Sequence, residues 1–286
     1  DFQSVANALG RNSQAIDQGD LRSANIVQVG NRTRLVLNLV KIPQYETKVD
    51  GKEVIISLAA SGGNVPPSVT AESHASFAEA KSQTGVERSL RDVAFRRGQG
   101  GEGRVVVQLS NPDTGIDIRQ QGGALVVEFL GTTVPEHLRR KADVTDFGTP
   151  ITSMVTQQHG DKVRIVVTPN GLWEHNAYQS DDQFVLEVRR VIEDPNKLVQ
   201  GTRGQYQGEK LSLNFQNVDV RSVLQVIADF TNFNIITSDS VQGNLTLRLK
   251  DVPWDQALDI ILQAKGLDKR KDGNVVWIAP SDELSA

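Results

Sequence analysis

The residues best placed to do chemistry in this chain are three arginines, each heading a β-branched run. Arg34-Leu35-Val36-Leu37-Asn38-Leu39, Arg104-Val105-Val106-Val107-Gln108-Leu109 and Arg164-Ile165-Val166-Val167-Thr168 share one pattern. Alternate side chains of an extended chain share a face. With Leu35, Leu37 and Leu39 turned to a core, Arg34, Val36 and Asn38 stand together on the other side. The same holds for Arg104, Val106 and Gln108, and for Arg164, Val166 and Thr168. A guanidinium beside an amide or hydroxyl and a small apolar patch can bind the carboxylates and sugar hydroxyls of a glycan-peptide polymer such as peptidoglycan. It can equally pack under a neighbouring strand with each Arg pairing locally, and the sequence leaves both open.

Other motifs carry less. Gly98, Gly100 and Gly103 satisfy G-x-G-x-x-G, but a dinucleotide site needs a strand before it and a helix N-terminus after it. Here Arg104 to Leu109 reads as a strand, so a hairpin turn is expected. Asp113-Thr114-Gly115 echoes an aspartic protease triplet, yet that chemistry takes two carboxylates sharing a proton, and the chain has no second triplet. His74, His137, His159 and His175 are scattered without ligand spacing. No Gly-x-Ser-x-Gly elbow occurs. Neither an enzyme, a metal site nor a bound cofactor is expected.

Composition points the same way. A net charge of −4, from 31 Lys+Arg against 35 Asp+Glu, gives no electrostatic footprint for nucleic acid. Cysteine is absent, which removes disulfides and thiolate chemistry. The longest apolar runs fall far short of the roughly 18 residues that span a bilayer. Asp1-Phe2-Gln3-Ser4 shows no signal-peptide pattern, so export has to be inferred from elsewhere.

The elements that must position the arginines repeat along the chain. Each Arg-led strand follows a Gly-containing turn, and a second strand returns: Val54 to Leu58, Leu125 to Phe129 and Phe184 to Val188. Asp1-Phe2, followed by Val5 and Leu9, resembles Glu128-Phe129 followed by Val134 and Leu138. Residues 1–60 therefore read as the C-terminal part of a first β domain, so the natural protein is expected to extend upstream of Asp1. Residues 61–85 read as a flexible linker, 86–192 as a second, complete β domain, and 193–207 as another linker.

Helical periodicity begins only in 208–286. Val220, Val223, Leu224, Ile227 and Ala228 line one face behind a capping Asp219. Trp254, Ala257, Leu258, Ile261 and Leu262 repeat the spacing, with Pro253 at the first helical position and Gly266 past the end. Alternation marks strands at Leu211 to Phe215 and Leu245 to Leu249, and Phe233 to Ile236 is a further strand. A final hairpin turns at Asp272-Gly273, read as a type I′ turn. The order is β-α-β-β-α-β-β, an α+β unit. The strands carrying Leu211, Leu213 and Phe215, and Val275 and Trp277, are expected as exposed edges able to accept a partner's strand.

The stretch Gly208-Glu209-Lys210-Leu211-Ser212-Leu213-Asn214-Phe215-Gln216-Asn217-Val218-Asp219-Val220 through Val252-Pro253-Trp254-Asp255-Gln256-Ala257-Leu258 resembles the secretin and TonB short N-terminal domain. In wording it looks like the PilQ family of type IV pilus secretins. The upstream repeats resemble AMIN domains, β-sandwich-like modules associated with peptidoglycan. The resemblance implies a multidomain, non-enzymatic periplasmic portion of an outer-membrane channel in a Gram-negative bacterium. It further implies anchoring to peptidoglycan, contact with an inner-membrane alignment lipoprotein and homo-oligomerisation, with no nucleic acid partner. AMIN domains also precede cell-wall amidases, and the short domain also occurs in TonB-linked signalling receptors. The first would need a zinc catalytic domain that this sequence does not offer, and the tandem repeats argue against the second.

Overall fold

The computed structural model describes residues 2–3, 7–8, 10–18, 20–39, 45–50, 53–58, 77–78, 86–191 and 206–285. The N-terminal module consists of β1 (Phe2–Gln3), β2 (Ser13–Gln18), β3 (Leu21–Val29), β4 (Arg32–Leu39) and the hairpin β5 (Tyr45–Asp50) and β6 (Glu53–Leu58). The middle module runs β7 (Arg88–Arg97), β8 (Gly103–Leu109), β9 (Ile116–Gln121), β10 (Ala124–Phe129), β11 (Thr132–Thr133), β12 (Lys141–Asp143), β13 (Ile151–His159), β14 (Lys162–Pro169), β15 (Trp173–Ser180) and β16 (Gln183–Arg190). The C-terminal module follows as β17 (Lys210–Asp219), α1 (Val220–Thr231), β18 (Asn234–Thr237), β19 (Asn244–Pro253), α2 (Trp254–Lys265), β20 (Leu267–Asp272), β21 (Val275–Pro280) and α3 (Ser281–Leu284). Its order, β-α-β-β-α-β-β, is the expected one, with α3 as an added last turn.

The middle module is a sandwich. One layer is the five-stranded sheet β12-β13-β14-β10-β9, and the other is β15-β16-β8-β7. Alternation drives the packing: Val105, Val107 and Leu109 join Phe184, Leu186 and Val188 against Leu125, Val127 and Phe129 and Val163, Ile165 and Val167. Phe184 meets Phe77 and Phe129 edge-on, with ring centroids 5.3 and 5.5 Å apart, a favoured aromatic geometry. Phe77 and Ala78 therefore belong to this core, with Ala78 bridged to Ile116. This corrects the linker reading at those two residues, because an isolated Phe in a polar stretch gives no periodicity to detect. Tyr206 and Gln207, at the end of the second expected linker, bond Asp259 and Asp255 of α2.

From β3 onward the internal repeat survives at atomic level with a constant offset. Gly30 and Gly160 take matching left-handed turns at φ 55° and 62°, β3–β4 corresponds to β13–β14, and β5–β6 to β15–β16. Phe2 pairs with Thr33 as Phe129 pairs with Val163, so Phe2 and Phe129 hold the same place in the sheet. The surroundings differ. Tyr45, Thr47, Val49, Val54, Ile56 and Leu58 form one apolar face of the β5–β6 hairpin, and Tyr45 and Val49 are 68 and 70% exposed. Val54 is 43% exposed, whereas the counterparts of Val54, Ile56 and Leu58, which are Phe184, Leu186 and Val188, are fully buried.

In the C-terminal module, Val220, Val223, Leu224, Ile227 and Ala228 are buried on α1. Asp219 caps it, accepting from the Arg221 and Ser222 amides at 2.9 and 3.3 Å. Pro253 is the cap of α2 rather than its first residue, since Lys210 still pairs with it across the β17–β19 ladder. The last hairpin turns at Gly273-Asn274, one residue later than expected. Only Gly273 has a positive φ, 62°, which excludes the type I′ geometry because both of its central residues need positive φ.

The modules share one sheet. Its order, β1-β4-β3-β17-β19-β15-β16-β8-β7-β11, places β17 and β19 between β3 of the N-terminal module and β15 of the middle one. Val27 and Val29 of β3 and, partly, Tyr178 of β15 pack into the C-terminal module's core.

Candidate functional site

The three arginines point to three different places. On β14, Arg164 stands on the open face of the five-stranded sheet and grips Glu128 of β10, with Nη2 at 2.7 Å and Nε at 2.9 Å from Oε1. Arg119 of β9 and Lys162 of β14 reach the same carboxylate at 2.9 and 3.0 Å. Glu128 is 2% exposed. Hydrogen bonds from Arg119 first, then Lys162 and Arg164, pull its pKa to about 2 against the opposing effect of burial. Three cations thus share one buried anion, and the surplus charge faces solvent. Register places Gln157 beside Arg164, Val155 beside Val166 and Ser153 beside Thr168, so amide, apolar and hydroxyl groups adjoin the cations on one flat face.

Arg104 lies in the other layer, at the contact with the C-terminal module. It bonds Glu187 at 3.0 Å and Glu102 at 2.7 Å, and Gln256 of α2 donates to Glu187 at 3.1 Å. The glycine-rich segment serves this arrangement. A Cβ on Gly98 would lie 1.8 Å from the Glu102 carboxylate, so the glycines make room for Glu102 to fold back onto the hairpin. The G-x-G-x-x-G spacing is a strand connection, as its context implied. Gln108 lies on β8 across from Gln183.

Arg34 is turned toward α1, bonding Asp229 at 2.7 Å and lying 4.9 Å over the Phe230 ring. Asn38 donates to Ser23 at 2.8 Å, and Val36 packs on the C-terminal core. The shared pattern therefore yields one open face, around Arg164 and Thr168, and two module contacts. Sequence reasoning missed Glu128, Arg119 and Lys162. The available signal was Glu128 itself, a charge at an outward position in the otherwise apolar run Leu125 to Phe129.

Of the two expected edge strands, β21 is not an edge and β17 is covered in part. Leu211, Leu213 and Phe215 are buried beneath the helices, and β17 pairs β19 along its length but β3 only at Leu211 and Ser212. Val275 and Trp277 sit on β21, the central strand of β18-β21-β20, because β18 adds in parallel on the side the hairpin leaves open. The free edges of that sheet are β18 and β20. Alternation sends Val276 and Ile278 inward, while Trp277 faces solvent at 49% exposure, flanked by Ile236 and Arg270.

Among the described residues no cluster of His, Asp or Glu could hold a metal, and no helix is long and apolar enough to cross a membrane.

Comparison with known proteins gives two domain matches: the AMIN domain over residues 92–195, and the secretin and TonB N terminus short domain over residues 233–281. The fimbrial assembly protein PilQ of Pseudomonas aeruginosa is 41% identical over 294 residues, spanning 100% of this chain and 41% of that protein. The type IV pilus biogenesis and competence protein PilQ of Neisseria gonorrhoeae is 32% identical over 317 residues, spanning 98% and 44%. The chain thus spans about two fifths of the length of these curated relatives.

Proposed function

Because this chain belongs to the type IV pilus secretins, as a periplasmic stretch matching part of such a protein, we propose that it ties the secretin to peptidoglycan and docks it to the inner-membrane alignment complex. The AMIN-like modules, residues 1–60 and 86–192, do the first, and the short domain, 208–286, does the second. The full-length secretin multimerises into the outer-membrane channel.

The observation that carries the wall-binding reading is the trio Arg119, Lys162 and Arg164 around Glu128. Glu128 and Asp117, which sits across from it on β9 and acts on Arg119, offset two of the three charges. The remaining charge offers charge-assisted hydrogen bonds to stem-peptide carboxylates, with Gln157, Ser153 and Thr168 beside the cations for sugar hydroxyls. Arg34 and Arg104, held at module contacts, have a positioning role. Replacing Arg119→Ala together with Lys162→Ala leaves Arg164 bonded twice to Glu128, so the carboxylate is not stranded. Co-sedimentation of the full chain with purified peptidoglycan should fall several-fold and become less salt-dependent. Undiminished sedimentation by this folded variant overturns the reading.

For docking, the outward face of β18-β21-β20 offers a Trp and an Arg, the residue types that dominate interface energetics. Trp277→Ala should weaken binding of the alignment lipoprotein about tenfold, as expected for an interface hot spot, while circular dichroism stays unchanged. Equal binding by wild type and variant would move the contact off this face.

A further inference from the structure

The short domain's large sheet does not end at its own strands. Ala177, Tyr178, Gln179 and Ser180 of β15 pair with Lys250, Leu249, Arg248 and Leu247 of β19. The tip of the β15–β16 hairpin fastens this ladder. Asp181, in a left-handed turn at φ 51°, donates its amide to the Thr246 carbonyl at 2.8 Å and accepts from the Thr246 amide at 3.0 Å. Lys265 of α2 lies 3.6 Å from the same carboxylate. The seat is nevertheless imperfectly filled. Arg248 is 1% exposed and spends Nη1 on the Pro112 carbonyl and Gln179 Oε1, at 2.8 and 2.9 Å. Its Nε and Nη2 are buried without a protein partner, as is Oδ1 of Asn214 directly across the ladder. This buried guanidinium meets the Gln179 and Asn214 amides and the Pro112 carbonyl, and Asp113 acts on it through charge without a hydrogen bond, so no carboxylate matches its planar fork.

We propose that β19 is a strand-addition edge of the short domain which β15 occupies as an intramolecular stand-in, and that its intended occupant is an acidic extended segment of a partner. β15 shows what such a segment must carry: a carboxylate where Asp181 meets Thr246 and Lys265. Two residues earlier, where β15 offers Gln179, a second carboxylate would take Arg248 bidentately. Main-chain pairing supplies affinity and the two acidic positions supply selectivity. Docking at this edge requires β15 to leave, so the AMIN-like module competes with the partner. The inference rests on the docking reading and names a second surface for it.

The test uses the full chain and two labelled peptides, residues 173–182 in native sequence and the same peptide with Gln179→Glu, followed by fluorescence anisotropy. A chain carrying Asp181→Ala, with its own latch weakened, should bind the Glu peptide at least tenfold more tightly than the native one. Peptide binding should also raise hydrogen exchange at β15 amides while β19 amides stay protected. Lys265→Ala should weaken both peptides alike and leave their ratio intact, and Arg248→Met should abolish the preference. Equal affinities overturn the proposal and would instead favour exchange of β15 between copies of the chain. Absence of binding, or a latch variant whose β15 amides exchange as slowly as wild type, overturns it as well. Lipoprotein binding measured on the same chains separates the two readings: binding that depends on Trp277 but is indifferent to Arg248 and Asp181 keeps the docking proposal and removes this one.

Discussion

Replacing Glu128 by Gln probes the centre of the five-stranded sheet and puts a number on it. A carboxylate whose pKa falls from 4.5 to about 2 on folding favours the native state by roughly 3 kcal/mol at neutral pH, at about 1.4 kcal/mol per unit. Its three cations retain 25 to 44% of their side-chain exposure, so solvent screening lowers the expected loss to about 2 kcal/mol. For a module of this size that is a fall in melting temperature of roughly 10 °C. The sign follows from the depressed pKa. The contribution is complete above about pH 4.5 and is lost as pH falls toward 2, where the wild-type carboxyl is protonated too. Urea melts of wild type and Glu128→Gln at pH 7, 4 and 3 should therefore show a gap that narrows with acid. A variant as stable as wild type at pH 7, or a gap of constant size down to pH 3, would refute the assignment of Glu128 as the charge hub. If the cations face the wall, the same substitution should raise peptidoglycan binding at neutral pH in spite of the lost stability.

Further outcomes follow from individual contacts. Arg34→Ala removes both the Asp229 ion pair and the stacking on Phe230, and should speed hydrogen exchange in β3 and β4 about tenfold, equivalent to about 1.4 kcal/mol, while the middle module's amides stay unchanged. Phe77→Ala should destabilise the middle module by about 3 kcal/mol through loss of the Phe184 contact; a neutral result in a denaturant melt would return residue 77 to a linker. Gly98→Ala should destabilise the β7–β8 connection by about 1–3 kcal/mol, because its Cβ would overlap the Glu102 carboxylate. A companion Glu102→Ala should restore most of the loss, which thermal melts of the single and double variants can compare.

Much of this protein could be read from its residues because the signals were local. Strand alternation, the left-handed turn glycines, the Asp219 cap and the apolar stripes of α1 and α2 each act within a few residues, and each appears where the spacing put it. The repeat relating Arg34 to Arg164 was legible for the same reason. What those arginines touch was not, because a guanidinium's partner comes from another strand or module: Glu128 for Arg164, Glu187 for Arg104 and Asp229 for Arg34. Edge status was hidden by the same physics. A strand's sequence records which face is buried through its side chains, but not which backbone lies beside it, since every strand offers the same N–H and C=O groups. Only the tertiary structure decided that β21 is an interior strand, that β3 covers one end of β17, that β15 closes the edge of β19, and that a single arginine of the three stands on an open face.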